Sequence, residues 1–237
     1  MTPYVPGLVS VILPTYNRYE HLLHAIRSCL NQTYPHVEVI VIDDASTDSR
    51  YRDGTLHQFP QTTVIHLPVN QRQKYGTLAA QGMTRQEGLL IARGEWIAFL
   101  DDDDWFHPEK IEHQLEALRS FPPHLFCSTN MTRIHHTAPP TPTTLSFTEV
   151  GPYFTINSLP PILTPELIQK TNYVNNSSVI LHQTIVKKTG AFRAVPYEDW
   201  DYWKRTGEPV LYLDEPLVNY TVSTDYERKK DYVYPVL

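Results

Sequence analysis

The chain has 237 residues, 41% of them apolar and 11% aromatic, which suits one sizeable folded domain and excludes a disordered one. Its 20 Lys and Arg against 26 Asp and Glu leave a formal charge of −6, so it lacks the basic surface that a nucleic-acid backbone requires. The longest apolar runs, near residues 9–13 and 96–100, are too short to span a bilayer, and the first residues have neither the basic nor the apolar region of a signal peptide.

In chain order, the β-branched run over 9–13, closed by Pro14, predicts a first strand. Asn17 with Glu20 three residues later predicts a helix cap, and Leu22, Leu23, Ile26, Cys29 and Leu30 recur at helical spacing behind it. A second strand is expected over 37–42, ending in Asp43 and Asp44, and a third over 63–67. A helix over 84–92, closed by Gly94, leads to a fourth strand over 96–100. Strands alternating with helices predict a parallel, doubly wound α/β sheet, in which chemistry gathers outside the carboxyl ends of the strands.

Further on, Pro108 opens a helix reaching about Arg119, with Ile111, Leu115 and Leu118 on its inner face. The Pro- and Thr-rich stretch 137–144 predicts an exposed loop, a candidate lid. A strand over 178–181, a short helix over 184–189 ended by Gly190, and late strands over 211–213 and 217–222 complete the pattern. The charged tail Glu227 to Asp231 is expected to be solvated. Cys29 and Cys127 lack metal-ligand or redox spacing, which predicts reduced thiols in a cytoplasmic protein, with Cys29 packed in the core. The five Asn-x-Ser/Thr matches are then chance.

The most informative stretch is Phe99, Leu100, Asp101, Asp102, Asp103, Asp104, an apolar strand running into four carboxylates. Like charges this close resist desolvation, so the run is either solvated as an acidic turn or neutralised by a cation. Side chains at i and i+2 of a strand share a face. On a strand, Asp101 and Asp103 would converge on a hard divalent ion such as Mg²⁺ or Mn²⁺, leaving Asp102 for another task and Asp104 in solvent.

Five segments carry a resemblance. They are Val9 to Arg18 (VSVILPTYNR), Val39 to Asp48 (VIVIDDASTD), Arg85 to Gly88 (RQEG), Gly94 to Asp103 (GEWIAFLDDD) and Glu198 to Trp203 (EDWDYW). In this order and spacing the chain resembles family-2 glycosyltransferases. The resemblance implies a GT-A fold over residues 1–237, with a Rossmann-like nucleotide-sugar-binding half to about residue 104 and a mixed, acceptor-binding half after it. It also implies transfer of a sugar, with inversion, from a nucleoside diphosphate sugar to an acceptor hydroxyl on a carbohydrate or glycoconjugate.

The resemblance assigns Asp103 as the direct metal ligand, Asp101 as a ligand through water, and Asp102 to the ribose or donor sugar. Mn²⁺ or Mg²⁺ would stabilise the charge that builds on the departing diphosphate. Pro14, Thr15 and Tyr16 match the turn that holds the base, and Asp44 matches the carboxylate that accepts the pyrimidine ring N–H, favouring a UDP- or dTDP-sugar. Asp44 as a helix-capping carboxylate is the competing reading. Arg85 would contact base or diphosphate, or be a surface arginine at a helix start. Asp199 is the candidate general base. Glu198 and Trp200 would stand on the acceptor side, although Trp200 and Trp203 are also good core residues.

Ser223 stands where many relatives have a histidine that completes the metal site, after Pro216, Leu217 and Tyr220. The histidines present, His135 and His136 among them, have no metal-ligand spacing. Two other readings compete. A sugar-phosphate nucleotidyltransferase would need a glycine-rich basic loop after the first strand, which residues 14–18 do not supply. A non-catalytic nucleotide-sugar-binding protein would have no need of Asp199.

Overall fold

The computed structural model describes residues 4–138 and 140–222; Ser223 and the charged tail lie outside them. Four strands form the first half of the sheet: β1 (Val5–Thr15), β2 (Val37–Asp43), β3 (Thr62–His66) and β4 (Gly94–Phe99). They run parallel in the order β3-β2-β1-β4. β1 is covered on both faces, which is why its centre is apolar at every position but Ser10. Val9, Val11 and Leu13 face helix α1 (Tyr19–Leu30), while Ile12 joins the core on the opposite side.

Between β3 and β4 lie the short helix α2 (Gln71–Tyr75) and α3 (Gln81–Ile91). Gly88 of α3 lets the helix lie close on β1, since a Cβ there would come within 2.6 Å of Ile12 Cγ2. That contact gives the glycine of the Arg-Gln-Glu-Gly segment a packing reason.

The second half is mixed. After the two-residue β5 (Trp105–Phe106) and helix α4 (Lys110–Ser120) come the long β6 (Phe126–His136), the edge strand β7 (Phe147–Pro152) and the short β8 (Ile162–Leu163). Helix α5 (Pro165–Lys170), strand β9 (Val179–His182), helices α6 (Gln183–Thr189) and α7 (Glu198–Thr206), and β10 (Val210–Thr221) follow. β9 joins the halves, antiparallel to both β4 and β6, and β6 pairs in parallel with β10. Phe99, Phe126, Tyr202, Trp203 and Phe192 fill the core beneath α7, so Trp203 is a core residue, only 1% exposed.

The expected elements of the first half are present, with ends displaced by a few residues. The two late strands are one strand, β10, whose register with β6 shifts around Pro216. Strands β5 to β8 and helices α2 and α5 had no expectation. Asn17 does not cap α1: it has a positive φ of 53° and its side chain accepts from Thr47 N at 2.9 Å, tying the turn after β1 to the loop after β2. The loop over 137–144 packs on α1, where His24 and Arg27 reach the carbonyls of Thr141 and Pro142. Among the described residues no helix is long and apolar enough to cross a membrane.

Candidate active site at the carboxyl ends of the strands

β1, β2 and β4 all end on one side of the sheet, and the acidic run follows β4 there. It does not continue the strand. β4 ends at Phe99, and residues 101–104 form a turn closed by Asp104 N donating to Asp101 O at 3.1 Å. Alternation between faces therefore does not apply: Asp101 and Asp104 leave the turn toward separate partners, while Asp102 and Asp103 meet at Arg18.

Asp101 accepts from Arg85 Nη2 at 2.5 Å and from Asn176 Nδ2 at 3.2 Å. Asp102, 6% exposed, accepts from Thr15 Oγ1 at 2.8 Å and Arg18 Nη1 at 3.0 Å. Asp103 takes the same Arg18 Nη1 at 2.6 Å and keeps a quarter of its side chain open to solvent. Asp104, expected in solvent, is 2% exposed and accepts from Ser177 Oγ at 2.6 Å and Thr221 N at 2.8 Å. It is a structural bracket between β10 and the 3₁₀ turn Asn176–Ser178.

Burial raises Asp102, Asp103 and Asp104. It pushes Asp102 up to about 7, with Asp103 adding and Arg18 opposing, and it pushes Asp103 up and Asp104 well up.

Around the turn stand the other predicted residues. Tyr16 is 43% exposed, with a ring free to stack on a base, whereas Thr15 is buried and its hydroxyl is committed to Asp102 and Tyr51. Pro14 lies between β1's core and this turn. Asp44 accepts from Gln71 N at 2.8 Å and Asn70 Nδ2 at 3.1 Å, so it does cap a helix, α2, from outside that helix's own segment. Thr84 supplies a further side-chain hydrogen bond, so three of the four lone-pair positions of this carboxylate are taken and one is left for a ligand.

Arg85 is neither at a helix start nor on the surface. It lies in the second turn of α3, 2% exposed, and donates through Nη1 to Glu198 at 2.8 Å as well as to Asp101. Burial disfavours its charge, but the two carboxylates outweigh burial and leave it raised.

Glu198 and Asp199 open α7. Glu198 points inward to Arg85, and Gly82 makes room for it, since a Cβ there would meet Glu198 Cγ at 2.7 Å. Asp199 is half-buried, accepts from Trp200 N at 2.7 Å, and is pushed up to about 6 by burial, then by Glu198, against Arg85. Trp200 donates through Nε1 to Ile168 O at 2.6 Å and carries Lys204 Nζ over its ring at 4.2 Å, so much of it is engaged in packing.

Three participants had no role in the sequence reading: Arg18, Asn176 and Ser177. Arg18 was legible as part of the Pro-Thr-Tyr-Asn-Arg segment; the other two stand in a polar run with no periodicity.

A carboxylate oxygen is a hard donor, and Asp101 and Asp103, with 33% and 25% of their side chains exposed, are the members of the run open enough to offer one outward to Mg²⁺ or Mn²⁺. Among the described residues no three His, Cys, Asp or Glu side chains converge on one ion, so such an ion would take its remaining ligands from a bound diphosphate and water. A separate cavity of about 330 Å³, near Glu38, Gln61 and Arg93, lies at the other end of the sheet. Its carboxylate is saturated by Ser10 and Arg93, and none of the residues above line it.

A parallel half-sheet with a polar, acidic crest, extended by a mixed half through a shared antiparallel strand, is the architecture of GT-A glycosyltransferases. Glycosyl transferase family 2 matches residues 10–180, and the chain belongs to that family. It is 38% identical over 113 residues to an uncharacterized glycosyltransferase of Haemophilus influenzae, covering 47% of this chain and 42% of that protein. It is also 38% identical over 122 residues to the putative teichuronic acid biosynthesis glycosyltransferase TuaG of Bacillus subtilis, covering 50% and 44%. The chain thus spans less than half the length of these relatives. Among solved structures, S. aureus TarS 1-349 in complex with UDP-GlcNAc superposes with a TM-score of 0.69 at 20% identity, over 91% of this chain and 59% of that one. At that identity the likeness establishes the fold.

Proposed function

We propose that this chain transfers a sugar from a nucleoside diphosphate sugar, a UDP-sugar by preference, to a hydroxyl of a carbohydrate acceptor, with inversion. The observation that carries this reading is the bridge made by Arg85. It joins the acidic turn, where a diphosphate would be held, to the head of α7, where the half-buried Asp199, with a raised pKa, stands near enough to interact with both Arg85 and Asp101.

In the reaction, the acceptor oxygen forms a bond to the anomeric carbon as the bond from that carbon to the β-phosphate oxygen breaks. The electron pair leaves with the nucleoside diphosphate. Asp199 takes the acceptor proton; a carboxylate titrating near 6 is ionised at neutral pH yet basic enough to do so. Tyr16 offers a face to the base and Asp44 an acceptor to a pyrimidine N–H. A divalent cation at Asp103, Mn²⁺ or Mg²⁺, would supply Lewis-acid stabilisation of the charge on the departing diphosphate.

Support for uridine comes from Asp44 and from TarS, whose fold is shared and which binds UDP-GlcNAc and UDP. Support for a glycan acceptor comes from relatives named for teichuronic and colanic acid biosynthesis. A cytoplasmic setting accords with two free, buried thiols.

The test is to incubate the chain with Mn²⁺ and single nucleotide sugars and measure released nucleoside diphosphate. Slow hydrolysis of one donor is expected, abolished by Asp103→Ala. Release undiminished in that variant, or no release from any donor, overturns the reading.

A further inference from the structure

Arg18 holds two carboxylates with one nitrogen. Its Nη1 stands 3.0 Å from Asp102 Oδ1 and 2.6 Å from Asp103 Oδ2, the place on the acidic turn where a cation has most to neutralise. Among the described residues it is the sole cation paired with either acid, since Arg85 is committed to Asp101 and Glu198.

Its two ends differ in mobility. The backbone is fixed: Arg18 N donates to Tyr51 Oη at 3.0 Å, Tyr51 Oη bonds Thr15 Oγ1 at 2.8 Å, and Thr15 Oγ1 donates to Asp102 at 2.8 Å. The side chain is half exposed, at 51%, and lies over acids that are far less so. The Arg18–Asp103 pair, in which both partners reach solvent, is weakly held, by about 1 kcal/mol or less. A guanidinium that leaves it remains beside the turn, with the fork geometry that suits phosphate oxygens.

We propose that Arg18 is the internal counter-ion of this site, occupying Asp102 and Asp103 while the donor is absent and exchanging Asp103 for the diphosphate when donor and divalent cation arrive together. The inference rests on the metal-dependent transfer argued above. It makes metal binding conditional: Arg18 competes with a free ion for Asp103, but a nucleoside diphosphate both brings ligands to the ion and gives Arg18 another anion to hold. Adventitious metal is thereby kept off an empty site.

The test is Mn²⁺ titration of the full chain, with free Mn²⁺ read by electron paramagnetic resonance, in the presence and absence of UDP. Wild type is expected to bind Mn²⁺ much more tightly with UDP than without it. Arg18→Ala and Arg18→Gln should bind nucleotide-free Mn²⁺ more tightly, by up to about fivefold, as removal of a competitor worth at most ~1 kcal/mol requires, and should bind UDP with Mn²⁺ more weakly. Arg18→Lys should fall between and keeps a cation at Asp102, which guards against misfolding in the other two, and thermal melts identify which variants are folded. If the folded variants bind nucleotide-free Mn²⁺ no more tightly than wild type while Asp103→Asn still abolishes binding with UDP, Arg18 is not the counter-ion and the metal reading survives. If Mn²⁺ binds no form of the protein, with or without UDP, both ideas are lost.

Discussion

Arg85 donates to Glu198 at 2.8 Å across 113 residues of sequence, and this contact couples the two halves of the site. Through its other nitrogen the same guanidinium holds Asp101, so the acidic turn and the head of α7 cannot shift independently without exposing a buried charge.

Substituting Arg85→Met should therefore destabilise the fold by about 3–5 kcal/mol in urea unfolding, the usual cost of leaving a buried carboxylate unpaired. The double variant Arg85→Met/Glu198→Met should recover part of that loss, because it removes the stranded charge along with its partner. A double variant less stable than the sum of the two single changes would show that the pair does not act as a unit.

Asp103 and Asp104 are adjacent but differ in kind. Asp104→Ala removes the acceptor for Ser177 Oγ and Thr221 N, so a loss of about 2–3 kcal/mol is expected, while Asp104→Asn should retain most of the stability. Asp103→Asn should leave the urea midpoint close to wild type and lower donor turnover instead. Equal stability losses for Asp103→Asn and Asp104→Ala would contradict this division.

Transfer should fall as pH drops through about 6, where Asp199 takes up its proton, and level off above 7. Asp199→Asn should lower transfer by roughly 10²–10⁴-fold, keep donor binding, and lose this acidic limb. The same shift has a stability consequence. The folded pKa lies above the ordinary aspartate value, so the folded state holds the extra proton and the contribution is present at low pH and lost as pH rises through about 6. Urea midpoints in metal-free buffer at pH 5 and pH 8 should therefore differ less in Asp199→Asn than in wild type.

The parallel half was legible because its strands are buried on both faces, and a run such as Val39 to Ile42 has few other destinations. The ends of those strands were legible as chemistry for the same reason: polar residues there serve no packing purpose. Asp104 was misjudged because a strand was extended into what is a turn, and a turn sends consecutive side chains in unrelated directions. The bond from Ser177 to Asp104 spans 73 residues and leaves no local trace in either segment. Strand β7 escaped notice because it is exposed on both faces and so has no alternation to read.

That strand has an evolutionary consequence. Among the described residues β7 pairs with β6 alone, along the distal half of that strand, and its Phe147 packs edge-on against Trp105, the residue after the acidic run, with ring centroids 5.0 Å apart. The strand can therefore vary in length and sequence only so far as Phe147 keeps its place against Trp105, because that ring packing lies directly behind the acidic turn.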